Sequence, residues 1–273
     1  MIATWHSLYL AQLDCQPFAH LESLFLLSQF QHWPNAVGLN GLKSTYQADS
    51  DATPDFVCQS DLLESGDYYE QIIFKQGHIP TRPDGWHDLF NALIWLQFPK
   101  TKSLLNALHI ADISQFGLSP RTLRRNNLTH FDECGVILLV EEGHEFLLDG
   151  LAQHQWHSVF VENRALWGNK IHSVMFGHAN LEMLLQPFIG LTGKWLGLSV
   201  AEGFAQLPPK QQLTIVDEKL MEHITQTDLF AHKKVLLPIP LLGIPGWHRA
   251  NQQSEFYQNT DYFRPKPQRG AVK

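Results

Sequence analysis

The sequence predicts an α+β fold, mainly helical, with a small antiparallel sheet and an extended, proline-rich C-terminal arm. Three observations carry this. Apolar residues recur at helical spacing in several long runs, and short aromatic or β-branched runs lie between them. "LLPIPLLGIPGWH" sets three prolines and two glycines among apolar residues, where no helix can form.

Taken in order, "WHSLYLAQL" and "HLESLFLLSQF" read as two short helices, the second closed by His32, Trp33 and Pro34. "NAVGLNGLKSTYQADSDATPDF" is rich in Gly, Asn, Ser, Asp and Thr and reads as a loop. It divides an N-terminal helical segment, residues 1–60, from a main unit over 61–273. "DYYEQIIF" (67–74) reads as a strand, broken by the prolines and glycines of "QGHIPTRPDG". "WHDLFNALIWLQF" (86–98) is a helix, with Asp84 placed to cap it and Pro99 to stop it. A second helix runs through "KTKSLLNALHIADISQF", where Leu104, Leu105, Leu108 and Ile113 give a period near 3.6.

"LTHFDECGVILLVEE" (128–142) reads as a hairpin around an Asp-Glu-Cys-Gly turn, and "SVFVEN" as a further strand. "IHSVMFGHANLEMLLQPF" reads as an amphipathic helix ended by Pro187. In "QQLTIVDEKLMEHI", Leu213, Val216, Leu220 and Ile224 fall on one side of another helix. The arm, 236–265, runs extended across the body and docks as far as Phe263 before its tail frays.

Composition narrows the function classes. With 44% hydrophobic residues in 273, the chain buries a real core. A net charge of −7 argues against a nucleic-acid partner, because that binding neutralises phosphates with Lys and Arg. Cys15, Cys58 and Cys134 lie far apart without zinc-ribbon spacing, so a reducing cytoplasm is expected. The start lacks a basic, then apolar leader, and no run reaches the roughly 18 apolar residues of a membrane span.

The strand-loop-helix stretch from "YYEQIIF" to "SLLNALH", with "LTHFDECGV", "FGHANLE", "PIPLLGIPGW" and "FYQNTDYFRP", resembles the bacterial family known as DUF3025, over roughly residues 68–265 and in the right order. The resemblance implies a single-domain bacterial cytoplasmic protein. It brings no catalytic residues to carry over.

Candidate site residues therefore come from this chain. In "WHDLFNAL", His87, Asp88 and Asn91 project from one flank of an otherwise apolar helix, so they need partners or a cleft. Asp88 also complements the helix dipole, and His87 also suits a half-buried hydrogen bond. Asn91 is a poor helix former with no capping role. His178 and Glu182 stand at i and i+4, a spacing that serves a metal ion or a simple hydrogen bond. Asp132 and Glu133 fall in the expected turn, and strand alternation puts His130 on the face of Asp132. Residues 99–126 hold five basic residues, Lys100, Lys102, Arg121, Arg124 and Arg125, against one acid, Asp112; such a patch suits an anion or a solvated face. P-loop, Rossmann, nucleophile-elbow and zincin motifs are absent.

Two functions follow. One is a hydrolase in which some of His87, Asp88, His130, Asp132, His178 and Glu182 hold a divalent metal (zinc, manganese or magnesium). Asp88, Asn91, Asp132 or Glu133 then assists, and Arg121, Arg124 and Arg125 bind a small anionic substrate, phosphorylated or not. The other is a non-enzymatic binding or adaptor protein, in which the polar groups form a structural hydrogen-bond network and the arginines meet an acidic partner or anionic ligand. Convergence of these residues in space separates the two. Oligomeric state is left open.

Overall fold

The structure, a computed structural model, describes residues 5–47, 53–62 and 66–267. Helices dominate it. Four strands form a mixed sheet and two more a short parallel pair.

The N-terminal segment holds α1 (Ser7–Leu10), α2 (Gln16–Phe25) and α3 (Ala36–Tyr46). The third replaces the expected loop. Asn35 caps it, its side chain accepting from the Gly38 amide at 3.0 Å, and Leu39 is fully buried. Composition misled here because a cap and one well-placed apolar contact outweigh a run of weak helix formers. Asn40 then brackets Phe56 with two 2.9 Å bonds to its main chain, fixing strand β1 (Asp55–Cys58). Residues 48–52 of the expected loop, and the expected frayed tail beyond 267, lie outside the described residues.

"DYYEQIIF" is not a strand. Residues Tyr69–Gln76 form α4, which buries Ile72 and Ile73 while Phe74 faces out. The side chain of Gln71 accepts from the Tyr68 amide at its start, and Gly77 ends it at φ 65°. Strand β2 (His78–Thr81) follows, inside the stretch expected to be a breaker, and pairs in parallel with β1. β-propensity was overridden by a burial pattern of helical spacing and a glycine stop.

Helix α5 (Trp86–Gln97) matches expectation, though its entry does not. Asp84 adopts φ 57° and Gly85 takes the N-cap position without a side-chain bond. Trp86 is gripped by Trp5 and Trp33, with centroids 5.7 and 4.8 Å away, so the N-terminal segment fastens the first turn of α5. Pro99 does stop this helix, and it also opens α6 (Pro99–Phe116).

Residues Leu123–Cys134 form helix α7, not the first arm of a hairpin. Thr122 caps it, accepting from the Arg125 amide, while Leu128 and Phe131 are buried at helical spacing. The chain passes from α7 directly into β3 (Gly135–Glu141). Only glycine allows this passage, since a Cβ on Gly135 would stand 2.4 Å from the Phe131 carbonyl oxygen. All seven residues of β3 are buried, as a continuous apolar run in a central strand requires.

Helix α8 (Phe146–Ala152) follows, and "SVFVEN" forms a π-helical turn, Ser158–Glu162, rather than a strand. The long amphipathic helix expected next divides into β4 (Ile171–Met175) and a shorter α9 (His178–Leu184). Strand β5 (Thr192–Val200), not anticipated, runs parallel to β3, while β4 runs antiparallel to it. After α10 (Pro209–Thr227), which buries Leu213, Val216, Leu220 and Ile224 as expected, β6 (Leu237–Pro240) pairs antiparallel with β5. The sheet order is β4-β3-β5-β6, so the proline-bearing strand lies at an edge, where its missing donors matter least. The arm docks as expected, with Tyr262 and Phe263 buried and the Arg264 carbonyl accepting from Trp156 Nε1 at 2.7 Å. It is not extended throughout: 3-10 turns at Leu241–Gly243, Arg249–Gln252 and Ser254–Gln258 follow β6.

Candidate metal centre and polar cleft

One close approach builds the site. A Cβ on Gly177 would lie 2.5 Å from the Gly135 nitrogen and 2.6 Å from the Cys134 carbonyl carbon. Because Gly177 has none, the start of α9 rests against the end of α7, and the Phe176 and Gly177 amides both donate to the Gly135 carbonyl. This sets His178, the first residue of α9, beside Glu133. Helix α5 packs along α9 and brings His87 to the same place.

The three side chains converge. Each offers a ligand atom, and these atoms all lie within 4.8 Å of one another. His87 Nε2 and His178 Nε2 are 3.2 Å apart, and His178 Nε2 is 3.4 Å from Glu133 Oε2. Ligand atoms on a tetrahedral zinc at 2.0–2.1 Å stand about 3.3 Å from each other, so two edges of that figure are already set. Burial draws the pKa of His178 down to about 4, opposed by the charge of Asp132, so its ring is neutral near pH 7 with a lone pair to give. Burial and the neighbouring Asp132 push the Glu133 carboxyl up. Glu182 Oε2 lies 3.5 Å from His87 Nδ1, on the far side of that ring, where a carboxylate sets a ligating imidazole's tautomer.

The cluster forms one end of a polar cleft of about 330 Å³, whose lining includes Tyr68, Tyr69, Glu70, Arg82, His109 and Arg121. Burial pushes the Glu70 carboxyl up and draws the His109 pKa down to about 4. A second hollow, about 290 Å³ between α3, the end of α5 and α10, contains no histidine.

Other expected residues have prior partners. Asp88 receives the Arg82 guanidinium at 2.7 and 3.0 Å and the Arg82 amide at 2.6 Å; burial opposes its charge, but these bonds hold its carboxyl below the usual range. Asp132 is paired with Lys102; burial raises its carboxyl, yet the ammonium outweighs this and keeps it ionised. Lys102, itself buried, also donates to Asn91 Oδ1 at 2.9 Å, and Asn91 Nδ2 donates to the Tyr69 hydroxyl at 2.9 Å. Asn91 is thus a connector, which accounts for a poor helix former in this turn.

His130 does not join the group. On a helix, residues two apart point to different sides, so the strand-face argument linking it to Asp132 fails and His130 is exposed. Arg124 pairs with Asp112 and Asp228, both at 3.2 Å. Arg125 is 1% exposed and donates to the Gly117 and Leu118 carbonyls. Neither reaches an anion in the cleft; Arg121 alone of the expected trio lines it. Sequence reasoning missed Tyr68, Tyr69, His109 and the role of Lys102. The adjacent tyrosines were visible only as β-formers, and Lys102 only as one charge in a basic run.

Fold and site together define a class: a mixed α+β protein with a His-Glu-His cluster at one end of a polar cleft. The chain belongs to the family described as protein of unknown function (DUF3025), whose model matches residues 54–267. No curated protein and no solved structure matches the chain. Among the described residues no helix is long and apolar enough to cross a membrane.

Proposed function

We propose that this protein is a metal-dependent hydrolase of a small anionic substrate. The observation that supports it is the spacing of His87, Glu133 and His178, two imidazoles and a carboxylate within 4.8 Å at the end of a cleft. Two histidines and one glutamate are a donor set that would suit zinc, and His87, Glu133 and His178 would hold it with room for a water as a further ligand. A divalent ion there would acidify a water and polarise the bond to be cut. Glu182 orients His87 from behind. Lys102 holds Asp132 as a fixed anion next to Glu133, and Arg121 supplies the positive charge that retains the substrate. In the reaction, water's oxygen joins the electrophilic centre, the bond to the leaving group breaks, and one proton passes to that group.

The test is metal content and turnover together. Protein loaded with zinc, manganese or magnesium is expected to bind one ion per chain and to hydrolyse members of a panel of phosphate and carboxylate esters. His178→Ala and Glu133→Gln should lose both properties. A chain that takes up no ion under any loading condition would end the reading.

A further inference from the structure

The polarity of the hydrogen bonds around two adjacent tyrosines identifies a second part of the cleft. Lysine Nζ carries only hydrogens to give, so the Asn91 atom facing Lys102 has to be the oxygen. Its amide nitrogen then faces Tyr69 and donates to the Tyr69 oxygen. The hydroxyl's own hydrogen remains, and no acceptor among the described residues takes it. The same logic holds next door. Arginine has no acceptor, so Arg121 Nη2 donates to the Tyr68 oxygen at 2.8 Å and leaves the Tyr68 hydrogen without a protein partner among the described residues.

The cation completes the picture. Of the five basic residues in 99–126, Lys100 pairs with Glu218, Lys102 with Asp132, and Arg124 with Asp112 and Asp228, while Arg125 donates to main chain. Arg121 has no carboxylate partner among the described residues, although the chain carries seven more acids than bases. All three groups line one cleft.

We propose that Tyr68, Tyr69 and Arg121 form an oxyanion subsite, in which two pre-oriented hydroxyls and one guanidinium donate to a phosphate or similar group, with Lys102 and Asn91 as positioning residues behind Tyr69. This rests on the hydrolase reading only for its biological purpose, since the donors need no metal. Burial keeps the Tyr69 phenol protonated well above its usual range, so it serves as a donor at all working pH values. The Lys102–Asn91 relay determines which way that donor points.

Calorimetric titration of the full chain with inorganic phosphate, with and without zinc, tests this. Wild type is expected to bind in both forms, and Tyr68→Phe and Tyr69→Phe each to weaken binding about ten-fold with thermal midpoints little changed. Asn91→Asp is the sharper probe. An aspartate has only acceptor oxygens, so it keeps Lys102 but draws the Tyr69 hydrogen back from the cleft. It should weaken phosphate as Tyr69→Phe does, and should cost nothing further in a Tyr69→Phe background. A further loss there would show that added negative charge, not the hydroxyl's direction, was responsible. If Tyr69→Phe fails to fold, Tyr68→Phe still decides. Phosphate binding that ignores both tyrosines, or no phosphate binding in either form, overturns the subsite. Zinc-free protein that binds phosphate through the tyrosines, yet takes up no metal, would sink the hydrolase reading and leave the subsite standing.

Discussion

Four tyrosines distinguish two regions built from the same residue types. In the C-terminal anchor, Tyr257 accepts from Arg164 at 3.1 Å and donates to the Gly243 carbonyl at 2.8 Å. Tyr262 accepts from the Leu242 amide at 3.0 Å and donates to the Leu191 carbonyl at 2.6 Å. Asn251 gives both amide hydrogens to the Leu242 and Ile244 carbonyls. Each anchor hydroxyl both receives and gives, and the groups it meets are mostly main chain. In the cleft, Tyr68 and Tyr69 receive and give nothing to the described residues. The anchor uses tyrosine, asparagine and arginine to fasten an extended segment whose prolines cannot donate. The cleft uses them to leave donors in reserve. Structural and functional polar clusters thus differ in leftover capacity rather than in composition.

The largest effect that would sharpen this contrast is expected at the anchor. Asn251→Ala strands the buried Leu242 carbonyl and also removes one bond from the Ile244 carbonyl, which keeps the Trp247 amide, and one from Arg164. Together these losses should cost about 4 kcal/mol in chemical denaturation. Phosphate affinity of the folded fraction should be untouched. A cost below about 1 kcal/mol would break the comparison from the anchor side.

Next comes acid sensitivity of the cleft wall. His109 is buried, and its pKa is drawn down to about 4 by burial; Asp132 opposes this, while Arg125, Arg121 and Lys102 reinforce it. Between the unfolded value of 6.5 and about 4, the unfolded chain binds a proton that the folded chain refuses. Stability is therefore full above pH 6.5 and falls as pH drops through that window, by about 3 kcal/mol at its lower end. Denaturation midpoints measured from pH 7 to 4 should show a shallower slope in His109→Gln than in wild type. Equal slopes would remove His109 from the account.

Zinc should act on the cleft and not on the anchor. At a hundred-fold excess over its dissociation constant it is expected to stabilise wild type by about 2.7 kcal/mol, and Asn251→Ala by the same increment. His178→Ala should show no increment in the thermal midpoint, and an undiminished one would place the ion elsewhere. The smallest effect belongs to Arg121→Gln, whose guanidinium is exposed and lacks a carboxylate partner among the described residues. Its stability should stay within about 0.5 kcal/mol of wild type while phosphate binding drops.

Much of the fold was legible where the information is local. The spacing of Leu213, Val216, Leu220 and Ile224 gave α10, Pro99 marked the end of α5, and the prolines of 236–248 kept that stretch from forming an α-helix, leaving only a short 3-10 turn at Leu241–Gly243. His87 and His178 were also visible as polar residues on greasy helices. What failed were short apolar runs, "DYYEQIIF" and "SVFVEN", in which strand and helix patterns coincide over so few residues. The false hairpin had a different origin, since Asp-Glu-Cys-Gly reads as a turn until Gly135 is seen to let a helix pass straight into a strand.

By itself, then, the sequence determined which segments could be regular and which side chains had chemistry to offer, because both depend on neighbours a few residues away. Only the tertiary structure decided that His87, Glu133 and His178 meet, that Asp88, Asp132, Arg124 and Arg125 are taken by other partners, and that His130 stands apart. Those outcomes depend on two glycines approaching within van der Waals reach and on strands β3 and β5 lying parallel far apart in the chain. Long-range contacts of this kind are set by the packing of the whole core, and no local periodicity encodes them.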